Sequence, residues 1–272
     1  MTEQTDRIDH ADHTDHTDHH GPEGLLVRGT VVVVPGRGET RATYARFARR
    51  LAADAYRVRV VDPPEPDPDD PAGSLTRFGE RLAHAVEGTA AEGTAAEGAP
   101  ATPVVLVGAD SGAVAVAALL GRPGRAGVRP DGVVLAGLPG RAAPAEDGGW
   151  EGELDVRTSC PTHRDTLTRD PRVRRGSLGE AVPDALLTAA YEAELAPPAL
   201  FLAGDADPLA DHDALARAAK SQRRARLSVV RGAHHDVLND VQHRSVAAEV
   251  VTFLETLRNG LVPVVAVESS TW

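Results

Sequence analysis

Cysteine, lysine and aromatic residues are all scarce in this chain. One cysteine, Cys160, stands among 272 residues. That excludes an internal disulfide and fits a reducing compartment. Lysine occurs only at Lys220, so nearly every cation is an arginine. Phe, Trp and Tyr together make up 3%, which speaks against a broad aromatic slot for polycyclic substrates. No run of about 18 apolar residues occurs, so no membrane-spanning helix is expected. The N-terminus lacks the basic and apolar regions of a secretory signal, and cytoplasmic residence is the expectation. A formal net charge of −11 argues against nucleic acid or an anionic membrane as partner. What the chain does have is 42% apolar residues, enough for one large core.

Residues 1–23 stand apart. Asp9-His10, Asp12-His13, Asp15-His16 and Asp18-His19-His20 form a period-three run with nothing apolar to bury. Such a segment does not offset its ordering entropy, so a disordered tail is expected, with some capacity to chelate a divalent transition metal. The tandem Glu87-Gly-Thr-Ala-Ala, Glu92-Gly-Thr-Ala-Ala reads as an expanded surface loop. Residues 24–272 form the second unit, in which strands and helices alternate. Strands are predicted over Thr30–Val34, Tyr56–Val61, Val104–Val107, Gly132–Ala136, Ala199–Ala203 and Leu227–Val230, with Leu261–Val267 as a candidate edge strand. Helical periodicity covers Thr40–Ala53, a segment capped at Ser74, Gly112–Leu120, Leu209–Lys220 and Ser245–Leu257. Fully apolar strands between helices imply a mainly parallel sheet with helices on both faces, an α/β fold.

In such a sheet, functional groups gather at the carboxyl ends of strands. Val104–Ala109 runs into a turn of small residues and then an Ala-rich helix, the layout of a nucleophile elbow. Gly108 and Gly112 bracket Asp110; a frame one residue later centres Ser111 between Ala109 and Ala113. Both are candidate nucleophiles. Asp205 and Asp207 follow the strand at 199–203, and His234 and His235 follow the last one. Nucleophile, acid, histidine is the chain order of one known triad arrangement. Asp207 has a simpler competing role as a helix cap. Cys160 and His163 lack the second pair that a zinc site needs; they are expected to serve structural hydrogen bonds near a pocket mouth. No metal or other cofactor is called for.

From about Thr30 to Arg258 the chain resembles the α/β-hydrolase family. Gly232-Ala233-His234-His235-Asp236-Val237-Leu238-Asn239-Asp240 is similar to the Gly-Ala-Arg-His-Glu-x-Leu-Asn-Glu of lysophospholipases and monoacylglycerol lipases. The resemblance implies His235 as the base and Asp207 as its partner. It also implies an oxyanion loop at Pro35-Gly36-Arg37-Gly38, with backbone donors from Arg37 and Ser111 and substrate contact at Gly36, and a lid over about 140–196. Pro183 to Leu195 reads as a short amphipathic helix roofing the pocket. An arginine side chain at 37 is expected to be solvated. Members of the lipase branch carry serine where Gly108 and Gly112 align Asp110. Haloalkane dehalogenases and epoxide hydrolases carry aspartate there, but the tryptophan that usually follows it is here Ser111, and the His-Gly-x-Pro loop is missing. The expected activity is metal-independent hydrolysis of a small to medium organic substrate, most simply a carboxylic ester. Aspartate-dependent opening of an epoxide or carbon–halogen bond is an alternative. A catalytically silent binding protein on the same fold is another.

Overall fold

The computed structural model describes residues 15–65, 67, 69–89, 99–122, 127–141 and 148–271. Seven strands form one sheet among these residues: β1 His16–His19, β2 Gly29–Val34, β3 Tyr56–Val61, β4 Val104–Ala109, β5 Gly132–Ala136, β6 Ala199–Gly204 and β7 Ala225–Val230. Their spatial order is β1-β3-β2-β4-β5-β6-β7. All neighbours pair in parallel except β1, which runs antiparallel along the edge of β3. The helices are α1 Ala45–Ala53, α2 Pro71–Glu87, α3 Ser111–Leu120, α4 Gly149–Arg157, α5 Pro161–Arg169, α6 Asp184–Tyr191, α7 His212–Ser221 and α8 His243–Arg258.

The period of two along each strand sorts the core into two layers. Val31, Val33, Val105, Val107, Val134, Leu200 and Leu202 pack with Phe47 and Leu51 of α1 and Val250, Phe253 and Leu254 of α8. Val32, Val34, Leu106, Val133, Leu135 and Phe201 face the other way, toward Phe78 and Leu82 of α2, Val114 of α3 and Leu187 of α6. Each such aliphatic side chain gains roughly 1.5–3 kcal/mol on leaving water. Helix α3 is buried almost all round, which explains its lack of a polar face.

The six strands read from sequence stand where expected, lengthened by a residue or two at β2, β4, β6 and β7. Other expectations need correction. Arg41–Tyr44 form a 3₁₀ turn ahead of α1, so the first helix starts later than Thr40. Leu261–Val267 is not a strand: it is irregular, and Val262, Val264, Val265 and Val267 are exposed. The tail was expected to be disordered throughout 1–23, yet its described part contributes β1. There Asp18 stands opposite Arg59 in register, and the guanidinium donates to both its oxygens at 2.7 and 2.6 Å. A buried arginine supplies the partner that composition does not reveal. The tandem repeat beyond Thr89, residues 90–98, and the Asp-His pairs within residues 1–14 lie outside the described residues.

Candidate active site

Three loops at the carboxyl ends of β4, β6 and β7 build the site. Strand β4 ends at Ala109, and Asp110 takes φ 45° and ψ −120° before α3 begins at Ser111. That left-handed conformation is unusual for a side-chain-bearing residue and is held only where the surroundings over-determine it. The glycines on either side permit the packing that does so. A Cβ on Gly108 would stand 2.6 Å from Ala113 Cα, and one on Gly112 would stand 2.5 Å from the carbonyl oxygens of Val34 and Pro35. The frame centred on Asp110 is therefore the one the backbone adopts.

His235 links the three loops. Its Nδ1 lies 2.9 Å from Asp207 Oδ2 and its Nε2 lies 3.2 Å from Asp110 Oδ1. Asp207 also accepts from the Leu209 amide through Oδ1. Helix α7 is instead capped by Asp211, which accepts from Ala214, so the competing reading of Asp207 as its cap does not hold. Asp205 accepts from the Gly232 amide, and Asp240 Oδ2 accepts from the His234 amide at 2.7 Å and lies 3.0 Å from its Nδ1; neither Asp205 nor His234 bonds His235 among the described residues. Ser111 makes no side-chain hydrogen bond among the described residues, and it lines a cavity beside the site instead.

The expected solvated arginine is the largest departure at the site. Arg37 is 11% exposed at its side chain and grips Asp110. Nε and Nη2 donate to the carboxylate at 2.9 and 2.7 Å, and the Arg37 amide donates to Oδ2 at 2.8 Å. The same guanidinium donates through Nη1 to the carbonyls of Leu178 and Glu180, at 3.0 and 2.6 Å. The Arg37 amide, expected to face a developing oxyanion, is bonded here to the Asp110 carboxylate. The Gly36 amide is turned to Glu39 at 2.9 Å, away from the substrate contact expected of it. A fork of donors matching a carboxylate outweighs solvation once both are buried.

Electrostatics follow from this packing. Burial alone would raise Asp110, but Arg37 and His235 outweigh it and hold the carboxyl well below the usual range. Burial alone would lower His235, but Asp207 and Asp110 outweigh it and push the imidazole up to about 10. At neutral pH the imidazole is a cation between two carboxylates.

A second buried network lies behind the first, and sequence reasoning missed it. Arg157 of α4 is fully buried. It donates to Glu153 at 2.9 Å, to the Arg37 carbonyl at 2.8 Å and to Asp236 at 3.5 Å. Burial opposes the Arg157 cation, yet the charges of Asp236, Glu39 and Glu153 raise its pKa. His163 bonds Asp236 at 2.8 Å, and Tyr44 donates to Glu39. Burial, reinforced by the Asp236 charge, pushes Glu39 up to about 8. One ligand atom each of Glu39, His163 and Asp236 lies within 4.8 Å of the others; the Arg157 cation already occupies the counter-charge role there. Cys160 accepts from Arg46 at 3.4 Å. It and His163 are buried structural partners, not residues at a pocket mouth. The sequence signals for this network were Asp236, next to the histidine, and His163, of which structural hydrogen bonds were expected.

The neighbouring cavity, of about 260 Å³, is lined by Ser111 and Val114 of α3, Leu75 and Phe78 of α2, and Val182 and Leu186 at α6, with Arg77 and Arg81 among its walls. Of the segment expected to form a roofing helix, Leu186 of α6 lies on the cavity wall.

Residues 31–250 match the family described as "Alpha/beta hydrolase family", and the chain belongs to it. It is accordingly a hydrolase by class. Among solved structures it is similar to a monoacylglycerol lipase of Paleococcus ferrophilus, with 16% identity, 89% of this chain and 98% of that one covered, and a TM-score of 0.65. A soluble variant of the monoglyceride lipase of Saccharomyces cerevisiae gives 15% identity, 89% and 91% coverage and a TM-score of 0.65. The enol-lactonase of Burkholderia xenovorans LB400 gives 18%, 88% and 96%, and 0.59. At these identities the likeness is one of fold. No curated protein matches the chain by sequence.

Proposed function

We propose that this hydrolase works through Asp110 as a carboxylate nucleophile, displacing a leaving group from a saturated carbon, with His235 and Asp207 completing the reaction. The observation that carries the reading is the position of Asp110 at the strained apex, with His235 Nε2 facing its Oδ1. Ester hydrolysis through Ser111 fits less well, since His235 is turned to Asp110. Carboxylate attack on an ester carbonyl would give a high-energy anhydride, whereas attack on a saturated carbon gives an ordinary ester. Asp110, kept ionised by Arg37, is also a poor base.

The charges suit a leaving group that departs as an anion, a halide above all. When Asp110 Oδ bonds to carbon and the carbon–halogen bond breaks, the negative charge passes from Asp110 to the halide. As that charge leaves Asp110, the Nε and Nη2 donors of Arg37 lose their anionic partner and become available to another anion. Guanidinium donates hydrogen bonds but does not give up its proton, so it suits a halide better than the alkoxide of an opening epoxide. Tyr44 and Tyr191, the acids nearest in type, are committed to Glu39 and the Pro139 carbonyl. Alkylation also removes one of the two carboxylates that hold the His235 proton. The imidazole then falls toward its ordinary range and serves as base for water, with Asp207 holding its tautomer. The apolar cavity beside Ser111 would take the organic part of a small to medium substrate.

The Arg37 grip favours one rival, a silent binding protein in which Asp110 never reacts. Halide release from 1-bromobutane and bromoacetate, with mass spectrometry of His235→Gln, separates the two. We expect wild type to release bromide, Asp110→Asn to release none, Ser111→Ala to retain most of the activity, and His235→Gln to accumulate an ester on Asp110. Absence of both bromide release and adduct would leave the silent reading standing.

A further inference from the structure

Beside Asp110 and His235 lies a small cavity of about 10 Å³, lined by Tyr44, Asp110, His235, Asp236, Leu238 and Asn239 among others. That is room for one water and nothing larger. Asn239 is 1% exposed. Neither its side-chain nitrogen nor its side-chain oxygen has a hydrogen-bond partner among the described residues. A buried amide carrying both a donor and an acceptor costs about 1–3 kcal/mol when left unpaired, so it is expected to be matched by something that can accept and donate at once. Its backbone is firmly held, because the Asn239 amide donates to Asp236 at 2.8 Å and the Asn239 carbonyl accepts from Arg46.

Resting on the Asp110 reading above, we infer that this cavity is the seat of the hydrolytic water and that Asn239 is the residue that positions it. The front of Asp110 is covered by Arg37, which also ties down Leu178 and Glu180. With an alkyl group attached there, the cavity offers water a place touching both the ester carbon's residue and the base. The step balances. The water oxygen bonds to Asp110 Cγ while one of its protons passes to His235 Nε2. The tetrahedral centre then breaks its bond to the alkyl oxygen, which takes that proton from His235 and leaves as the alcohol. Asp110 is left as a carboxyl with one oxygen drawn from water; the second water proton, still on it, passes to His235 Nε2, which restores the carboxylate and the imidazolium of the resting site, and no oxidant or further reactant is needed. Asn239 Oδ1 accepts a hydrogen bond from the water and turns its lone pair toward Cγ.

Asn239→Leu keeps the number and branching of the side-chain heavy atoms and removes both polar ones. With 1-bromobutane as probe, we expect this variant to release one equivalent of bromide at the wild-type rate and then slow by roughly a hundredfold, the scale of a lost proton-transfer partner. The butyl ester of Asp110 should accumulate, located by peptide mass spectrometry. A merely structural role would slow ester formation and ester hydrolysis alike, and that result overturns the inference. So does an Asn239→Leu enzyme that turns over as wild type while His235→Gln traps the ester. No ester in either variant overturns the Asp110 reading itself, and the inference with it. A crystal structure of the unreacted enzyme gives a readout free of any substrate. An ordered oxygen within hydrogen-bond distance of Asn239, lost in Asn239→Leu, is expected; a dry cavity refutes the proposal.

Discussion

Arg37 joins two carbonyls of the Leu178–Glu180 segment to the carboxylate of Asp110 through one planar group. Replacing it with methionine keeps much of its apolar stem and removes every donor. Asp110 then loses its main counter-charge, and its pKa is expected to rise toward and past the usual range, since burial is left less opposed. Activity on a haloalkane should fall by at least tenfold with a steeper loss at acid pH, read from pH–rate profiles of wild type and Arg37→Met. Amide exchange at residues 177–182 should quicken in the same variant. Unchanged profiles would separate Arg37 from the nucleophile. The sequence made Asp110, Asp207 and His235 legible because each ends a parallel strand and the order of their chemistries is restrictive. It left Arg37 illegible, since a glycine-flanked arginine looks the same whether solvated or folded back on a carboxylate 73 residues away. Glu39 and Arg157 were hidden for the same reason, and His163 was legible only as a hydrogen-bonding residue without its partner: their burial is decided by groups distant in sequence or in other elements.

At the scale of elements, the region over the site is not one hinged flap. The end of α4 is bound to the histidine loop: the His235 and Asp236 amides donate to the Val156 and Arg157 carbonyls at 3.2 and 2.8 Å. Asp240 accepts from Thr158, from the Ser159 amide and from the His234 amide. Arg157 bonds across to the Arg37 carbonyl and lies 3.4 Å from Ser177 Oγ. The end of α4 is therefore held to the histidine loop, and the stretch at Ser177–Glu180 is tied separately, through Arg37 and Glu153. Removing one partner of a buried ion network typically costs about 3–5 kcal/mol because the remaining charges lose their counter-ion. Arg157→Met should lower stability by that order in urea denaturation and disturb His235 besides. A loss below about 1 kcal/mol would mean the network is not closed as described. Helices with a one-sided apolar stripe, such as α8, were plain in the sequence. Helix α4 was not, because its buried positions are Leu154 and an arginine.

Over the whole molecule, buried charge makes stability depend on pH in one direction. His235 is raised from about 6.5 to about 10. Its contribution is complete below the unfolded value and is lost as pH climbs through the folded one. Glu39, raised to about 8, binds its proton more tightly when folded, so it too weakens the fold as pH rises from about 4.5 through 8. Thermal melting should show a stability falling from near neutrality to pH 10, with a shallower slope in Asp110→Asn, where one carboxylate partner of His235 is gone. A flat profile over that range would refute the charged imidazole.

The edge strand β1 carries a different consequence. Arg59 lies near the middle of β3, 5% exposed, and its remaining partners are the carbonyls of Ala85 and Gly88. Without Asp18 it would be an interior cation with no anion, and one flank of β3 would present bare amides and carbonyls able to recruit a foreign strand. The segment that composition marks as expendable is thus a seam of the domain: it neutralises the core at one point and ends the sheet there in a four-residue, polar edge, a poor template for a foreign strand.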